Sequence, residues 1–176
     1  MIFRILAMIA LLFGVSACES INKKCVSEIC LEYPRSWDLS RIVENKDHMF
    51  FWIGTENLKP TNSATVSFQL YKFPIGDDLN SIAKRLSDGM DESIELGEVK
   101  FKEFYTFDDS QTVKEKIIYE FILGMEVVYL RDYWVYRDIN STLIIVTMVS
   151  EKEYSNYENT FRGVIDSVQY AKKPNN

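Results

Sequence analysis

Residues 112–149 read TVKEKIIYEFILGMEVVYLRDYWVYRDINSTLIIVTMV, and this stretch predicts the central strands of a β-sheet. Two long runs, residues 112–123 and 125–137, have the β-branched and aromatic composition of strands and meet at Gly124. A glycine between two such runs favours a hairpin, either simple or with a bulge. After a short polar turn, residues 142–149 are almost entirely apolar, which predicts a strand at the centre of a sheet.

Shorter strands and two helices surround this core. Further strands are predicted at residues 29–33, 48–53, 64–73 and 98–107. Asp77 is the predicted N-cap of a helix with one apolar stripe over residues 79–90. Residues 150–153, Ser-Glu-Lys-Glu, form a capping-box pattern ahead of a second amphipathic helix. Hairpin-linked strands with two such helices predict an α+β domain with an antiparallel sheet.

The composition fits an ordinary globular protein and argues against nucleic-acid binding. The chain has 176 residues, of which 47% are hydrophobic and 26% charged, and its formal net charge is −6. A chain of this size buries enough surface to fold without a metal or a dense disulfide framework. The acidic balance repels phosphate backbones, so we expect no nucleic-acid partner.

The N-terminus has the pattern of a secretion signal. Residues 1–17 read MIFRILAMIALLFGVSA, with Arg4 ahead of an unbroken apolar run at residues 5–13. That run is too short to span a bilayer, which takes about 20 residues, but it suits the apolar part of a signal peptide. A buried N-terminal helix or an ordinary membrane anchor would leave the following four residues unexplained.

Those four residues, Val15-Ser16-Ala17-Cys18, resemble the lipobox of bacterial lipoproteins. The resemblance implies cleavage between Ala17 and Cys18 and a lipid on the Cys18 thiol, which anchors the chain in the cell envelope. Several acyl chains hold a protein far more firmly than one. In Gram-negative envelopes, an aspartate directly after the lipidated cysteine resembles the signal for retention in the inner membrane. This chain has Glu19 at that position. An outer-membrane location facing the periplasm is therefore the expectation.

The remaining chain divides into three parts. Residues 18–24 are predicted to form a short polar tether, residues 25–170 one folded domain, and residues 171–176 a polar tail. Within the domain, Cys25 and Cys30 lie in a compartment where disulfides persist. A two-residue turn at Ser27-Glu28 would set the two cysteines opposite each other. Ser-Glu is a poor hairpin turn, so a disulfide and two reduced thiols in one strand both fit the sequence.

Three motifs resemble the PsbP-like fold, including the DcrB-like envelope proteins of bacteria. They are Glu32-Tyr33-Pro34 with Trp37, the hairpin and strand at residues 119–149, and the closing helix from Tyr157 to Ser167. The resemblance covers roughly residues 29–168. It implies an α/β/α sandwich, an accessory, assembly or chaperone-like binding role, and no reaction. Photosystem members bind metal ions, but no matching ligand set is found in this sequence.

The sequence gives little sign of catalysis. His48 is the single histidine, and a lone histidine at a strand start is more often structural than a base or a ligand. The pairs Asp77-Asp78 and Asp108-Asp109 suit a helix start and a turn without any chemistry. The sequence contains no G-x-S-x-G, H-E-x-x-H, P-loop or G-x-G-x-x-G motif. We expect a protein without catalytic residues, metal or cofactor.

Four aromatic residues form the candidate contact site. Alternation along the strand places Trp134 and Tyr136 on one face and Tyr129 and Tyr133 on the other. One face packs under a helix, and the other shows its rings to a partner or ligand unless a second helix covers it.

Three functional hypotheses follow from these observations. The first is a lipid-anchored, non-catalytic envelope protein that binds another protein or supports envelope assembly. The second is a lipoprotein that binds a small apolar ligand between sheet and helix, which requires a closed apolar cavity. The third is a hydrolase of envelope polymers, which requires a cleft with carboxylates or His48.

Overall fold

The structure is a computed structural model and describes residues 20–55, 63–92, 97–106, 112–121 and 124–170. Within these ranges the chain forms two antiparallel sheets and two α-helices. The smaller sheet contains β1 (Ile21–Val26), β2 (Ile29–Pro34) and β10 (Gln169–Tyr170). The larger sheet contains β3 (Trp37–Glu44), β4 (His48–Thr55), β5 (Ala64–Tyr71), β6 (Gly97–Thr106), β7 (Thr112–Phe121), β8 (Met125–Asp138) and β9 (Ser141–Ser150). The helices are α1 (Leu79–Glu92) and α2 (Tyr154–Asp166), and a short 3₁₀ turn, Glu151–Glu153, precedes α2.

Strand β9 lies in the middle of the larger sheet, as its apolar sequence predicts. The strand order is β3-β4-β5-β9-β8-β7-β6, which gives β9 three strands on each side. Leu143 and Ile145 are buried against one layer, and Ile144 and Val146 are buried against the other. A strand covered on both faces needs apolar side chains at successive positions, and β9 has them.

The two helices lie on opposite faces of the larger sheet. On one face, Ile82 of α1 packs in a cluster with Val113 and Tyr133. On the other face, Phe161 of α2 packs in a cluster with Leu31 of the smaller sheet and Phe68 of the larger sheet. The predicted antiparallel α+β class is confirmed. The predicted α/β/α layering holds only in part, because one outer layer is shared between a helix and a second sheet.

Trp37 anchors α2 to the larger sheet, although the sequence pattern places it in a turn. It opens β3 and is almost fully buried. Its indole centroid lies 6.1 Å from the ring of Tyr157 and 6.0 Å from the ring of Phe161, both on α2. The Pro34–Trp37 segment therefore connects the two sheets, and Trp37 fixes the position of α2 on the larger sheet.

The folded domain begins earlier than predicted. The tether prediction for residues 18–24 is wrong from Ile21 onward, because Ile21 pairs with Pro34 as the first pair of the β1–β2 ladder. The Arg35 backbone N–H also donates a hydrogen bond of 2.9 Å to the Ser20 carbonyl. The polar side chains of this segment face solvent while its backbone pairs with β2. Residues 1–19 and 171–176 lie outside the described residues.

Both helix starts differ from their predicted caps. Asp78 caps α1 in place of Asp77, since its Oδ1 accepts a 3.0 Å hydrogen bond from the Ser81 backbone N–H. Asp77 instead pairs with Arg85 at 2.8 Å. Ser150 makes no side-chain capping bond, because the chain passes through the 3₁₀ turn before α2 begins. Neither helix in the described ranges is long and apolar enough to cross a membrane.

Candidate functional site

An open groove of about 420 Å³ runs between α2 and strands β7 and β8. We call it the α2 groove. It is lined by Thr112, Lys114, Asp132, Trp134, Tyr136, Tyr154, Glu158, Phe161, Arg162, Ile165 and Asp166. Small-molecule sites span roughly 300 to 1,000 Å³, so the α2 groove has the volume of a binding site.

Two periodicities in the sequence build this groove. Alternate residues of a strand share a face, which aligns Lys114 of β7 with Asp132 of β8, its cross-strand partner. Alternation also places Trp134 and Tyr136 on that same face of β8. Residues four apart on a helix form one stripe, and on α2 that stripe runs from Tyr154 through Glu158 and Arg162 to Asp166.

A hydrogen-bonded triad lies at the base of the groove. The Lys114 ammonium donates to the Tyr154 hydroxyl at 3.1 Å, and that hydroxyl donates to Oδ2 of Asp132 at 3.2 Å. Lys114 Nζ lies 3.7 Å from the same carboxylate oxygen. The Asp132 side chain is only 7% exposed, so it is a nearly buried carboxylate supported by one cation and one hydroxyl.

Burial and charge shift the titration of this triad. Burial raises the pKa of Asp132, although Lys114 and the Tyr154 hydroxyl act to lower it. For Lys114, partial burial acts to lower the pKa, but the hydrogen bond to Tyr154 and the charge of Asp132 outweigh burial, so the pKa is raised. Burial also raises the pKa of Tyr154. The Tyr154 hydroxyl therefore keeps its proton. It accepts a hydrogen bond from Lys114 and donates one to Asp132.

The rim of the groove carries a second ion pair and a single carboxylate. Arg162 Nη2 lies 3.2 Å from Oε1 of Glu158, one helical turn earlier. Asp166 lies near Tyr136, whose pKa is raised by burial and further by the Asp166 charge. Among the described residues no hydrogen bond or ion pair to Asp166 is found. Tyr136 is 38% exposed, so its ring is accessible from the groove.

The four predicted aromatic residues divide between two different roles. Trp134 and Tyr136 line the groove on the α2 face. Tyr129 and Tyr133 are buried on the opposite face, so theirs is the face that packs inside the domain, and Trp134 and Tyr136 are the pair that a partner could reach. The Tyr133 hydroxyl donates a 2.6 Å hydrogen bond to Glu115, and Tyr129 packs against Tyr119. Burial raises the pKa of Tyr129 to about 12.

A buried charged cluster on that opposite face was not predicted. Arg131 and Glu115 are both fully buried, with Nη1 3.4 Å from Oε2. Ser87 of α1 donates a 2.5 Å hydrogen bond to the same glutamate, and Arg131 donates to the Tyr119 hydroxyl at 2.6 Å. Every charged atom of the pair has a nearby polar partner, and the cluster ties α1 to β7 and β8. This closed network is structural and does not open onto the α2 groove.

The remaining candidate residues lie away from the groove. Cys25 and Cys30 form a disulfide across the β1–β2 hairpin, with their Cα atoms 3.9 Å apart. Ser27 takes the positive φ of 50° that the two-residue turn requires. Ala17, Cys18 and the Asp108-Asp109 pair lie outside the described residues.

His48 stacks on Tyr71, with ring centroids 4.6 Å apart. Partial burial lowers the pKa of His48, which favours its neutral form. It does not line the α2 groove, and its Nε2 has no hydrogen-bond partner in the described part of the chain. In that same part, no three His, Cys, Asp or Glu side chains converge as metal ligands would.

The solved structures that resemble this chain include the following three. The solution structure of cyanobacterial PsbP (CyanoP) from Synechocystis sp. PCC 6803 is 13% identical with a TM-score of 0.49, and the match covers 89% of this chain and 96% of that one. A protein from Bacteroides thetaiotaomicron VPI-5482 is 12% identical with a TM-score of 0.40, over 84% of this chain and 46% of its own. A Pseudomonas aeruginosa protein of unknown function is 9% identical with a TM-score of 0.36, over 88% of this chain and 99% of its own.

The first of these structures is a PsbP protein, the family that the sequence motifs resemble. At these identities and TM-scores, none of the three likenesses assigns an activity or a ligand to this chain. No protein-family model matches the sequence, and no curated protein matches it. The function must therefore be argued from the N-terminal motif and the α2 groove.

Proposed function

We propose that this chain is a lipid-anchored, non-catalytic lipoprotein of the bacterial cell envelope that serves as a protein-binding or assembly accessory module. The lipobox-like Val15-Ser16-Ala17-Cys18 directly after an apolar run is the observation that carries the proposal. In a Gram-negative cell, Glu19 favours the outer membrane facing the periplasm. The PsbP-like and DcrB-like relationship is part of this proposal and rests on the sequence motifs.

The position of β1 determines how close to the membrane a lipid on Cys18 would hold the domain. Only Glu19 and Ser20 separate that cysteine from the first paired residue, Ile21. Three extended residues span about 10 Å. A lipid on Cys18 would therefore hold the folded domain directly against the bilayer surface, without a flexible linker.

The ion pairs of the α2 groove are consistent with a binding role. Its two cations are each paired with a carboxylate of the same chain, Lys114 with Asp132 and Arg162 with Glu158. Groups held in this way present fixed donors and acceptors to a partner. The apolar-ligand alternative gains no support from the groove, because charged side chains line it along its length.

A hydrolase is the second candidate, since the groove contains the carboxylates that it would need. Burial raises the pKa of Asp132, which is the direction required of a general acid. We favour the non-catalytic role because the same carboxylate is already bonded to Lys114 and Tyr154. Release of reducing ends from purified envelope polymers, abolished by Asp132→Asn, would overturn that preference.

Lipidation is tested by replacing Cys18 in the full-length chain. We expect Cys18→Ser to abolish metabolic labelling with palmitate and to leave the uncleaved precursor in the cell. The matched control is the double variant Cys25→Ser/Cys30→Ser, which retains Cys18 and should label as the wild type does. Palmitate labelling and normal maturation of Cys18→Ser would refute the anchoring proposal.

A further inference from the structure

We propose that the α2 groove binds a saccharide chain. The inference goes beyond the proposed function and does not depend on lipidation, because it rests on the aromatic and hydrogen-bonding groups of the groove alone. Its occupant is identified by chemistry: a ligand with hydroxyl groups that both donate and accept, and with ring faces that pack on aromatic side chains.

The Lys114–Asp132 pair disfavours an ionic ligand at the base of the groove. Arg162 and Glu158 form only an exposed pair at the rim, but Lys114 lies beside Asp132, whose side chain is 7% exposed. An ion that displaced either member of the Lys114–Asp132 pair would leave the other member uncompensated. A hydroxyl group can donate to the carboxylate and accept from the cation of the same pair, so it adds to the network without breaking it.

The aromatic residues supply the second part of a saccharide site. Trp134 lies partly buried in the groove wall, and Tyr136, which also lines the groove, is 38% exposed. Rings of this kind offer an apolar face together with a polar edge. The C–H face of a sugar ring can pack on that face while its hydroxyls reach Asp166 and the Thr112 side chain, which also line the groove.

The shape of the groove favours a chain over a single sugar. The α2 stripe from Tyr154 to Asp166 covers thirteen residues, and the twelve steps between its ends amount to about 18 Å along a helix axis. Polar groups are spread along this length, with the Lys114–Asp132 pair on the sheet side and Glu158 and Arg162 on the helix side. Several linked sugar rings can therefore contact the groove at once, and affinity should rise with oligomer length.

The test is an NMR titration of the ¹⁵N-labelled mature chain. The saccharide probes are a β-1,4-linked N-acetylglucosamine tetramer and maltotetraose, and the ionic probes are tetralysine and tetraglutamate. We expect at least one tetrasaccharide to shift the amide signals of Lys114, Asp132 and Trp134, more strongly than its monosaccharide does. Binding of an ionic peptide without either tetrasaccharide, or of no probe at all, would overturn the inference.

Two variants separate groove binding from contact elsewhere. Tyr136→Ala should raise the dissociation constant of the tetrasaccharide about tenfold. Phe73→Ala removes an aromatic side chain of similar exposure, 45%, that packs on Tyr71 outside the groove, and should leave binding unchanged. Equal affinity in Tyr136→Ala and the wild type would refute the inference. Cleavage of the bound tetrasaccharide would support the saccharide-binding inference but refute the non-catalytic role.

Discussion

Arg131 and Glu115 form an ion pair in which both side chains are fully buried, with Nη1 3.4 Å from Oε2. The pair lies on the α1 face of the larger sheet, where Ser87, Tyr119 and Tyr133 complete its hydrogen bonds. Ionised groups out of contact with water are tolerated only when they are paired and bonded in this way. Through Ser87, the cluster adds polar contacts to the apolar packing of Ile82 that holds α1 on the sheet.

Breaking the Arg131–Glu115 pair should destabilise the protein strongly. Arg131→Met leaves a buried carboxylate without its cation, and we expect a loss of about 3 to 5 kcal/mol in the free energy of unfolding. The control is Arg162→Met, which breaks the exposed pair with Glu158 and should cost at most about 1 kcal/mol. Urea denaturation measures both. A double variant, Arg131→Met/Glu115→Leu, should recover part of the loss, and failure to do so would contradict the buried-charge explanation.

Two glycine substitutions should change stability in opposite directions. A Cβ at Gly54 would lie 2.6 Å from the Ala64 carbonyl oxygen of the adjacent strand, so Gly54→Ala should cost about 1 to 3 kcal/mol. A Cβ at Gly163 of α2 meets no described atom within 4 Å, and Gly163→Ala should stabilise the helix by roughly 0.5 to 1 kcal/mol. Thermal unfolding compares the two variants, and destabilisation by Gly163→Ala would contradict the prediction.

The disulfide between Cys25 and Cys30 should stabilise the hairpin that begins the domain. The two cysteines are five residues apart, and closing so short a loop restricts the unfolded chain by about 2 kcal/mol. We expect Cys25→Ala/Cys30→Ala to lose that amount in the free energy of unfolding under non-reducing conditions. Mass spectrometry of unreduced protein should find residues 25 and 30 linked. Two free thiols at these positions would contradict the bond.

The pKa of Asp132 should lie above its ordinary value of 3.8 because its side chain is buried. The folded state then binds this proton more tightly than the unfolded state does. The contribution of Asp132 to stability therefore falls as the pH rises from below 3.8 through the raised pKa. NMR titration of the Asp132 carboxyl carbon measures this directly.

A charge variant tests the cause of that shift. Lys114 lowers the pKa of Asp132 by its charge and hydrogen bond, so Lys114→Met should raise it further. Lys23→Met is the control, because Lys23 pairs with Glu32 on the smaller sheet. A decrease in the pKa of Asp132 in Lys114→Met, or a change of equal size in Lys23→Met, would be inconsistent with the triad geometry.

The central strand and the long hairpin could be predicted from sequence because their signals are local. The apolar residues of β9 require burial on both faces, and Gly124 takes the positive φ of 69° that marks the hairpin turn. β3 could not be predicted so easily. A register shift between Ser40 and Val43 interrupts its alternation, and its place at the sheet edge allows polar side chains.

The candidate site was only partly visible in the sequence. Alternation alone places Trp134 and Tyr136 on one face, and the structure puts both in the α2 groove. The contributions of Lys114 and Tyr154 depend on which face of the sheet α2 covers. The face that α2 covers is set by contacts between residues far apart in the sequence, such as Trp37 packing on Phe161. A local sequence pattern does not reveal such contacts. Buried Glu115 and Arg131 were equally hidden, since charged residues in alternating strands are normally assigned to the solvent face.

The β1–β2 hairpin has a mechanical consequence. A pull on the N-terminus, as a lipid at Cys18 would transmit, loads the ladder at its first pair, Ile21 with Pro34, and peels β1 away one pair after another. The covalent bond at Cys25–Cys30 lies four positions further along that path. Separation of β1 from β2 would stop at this bond. The disulfide would therefore prevent a force on the N-terminus from unfolding the rest of the domain.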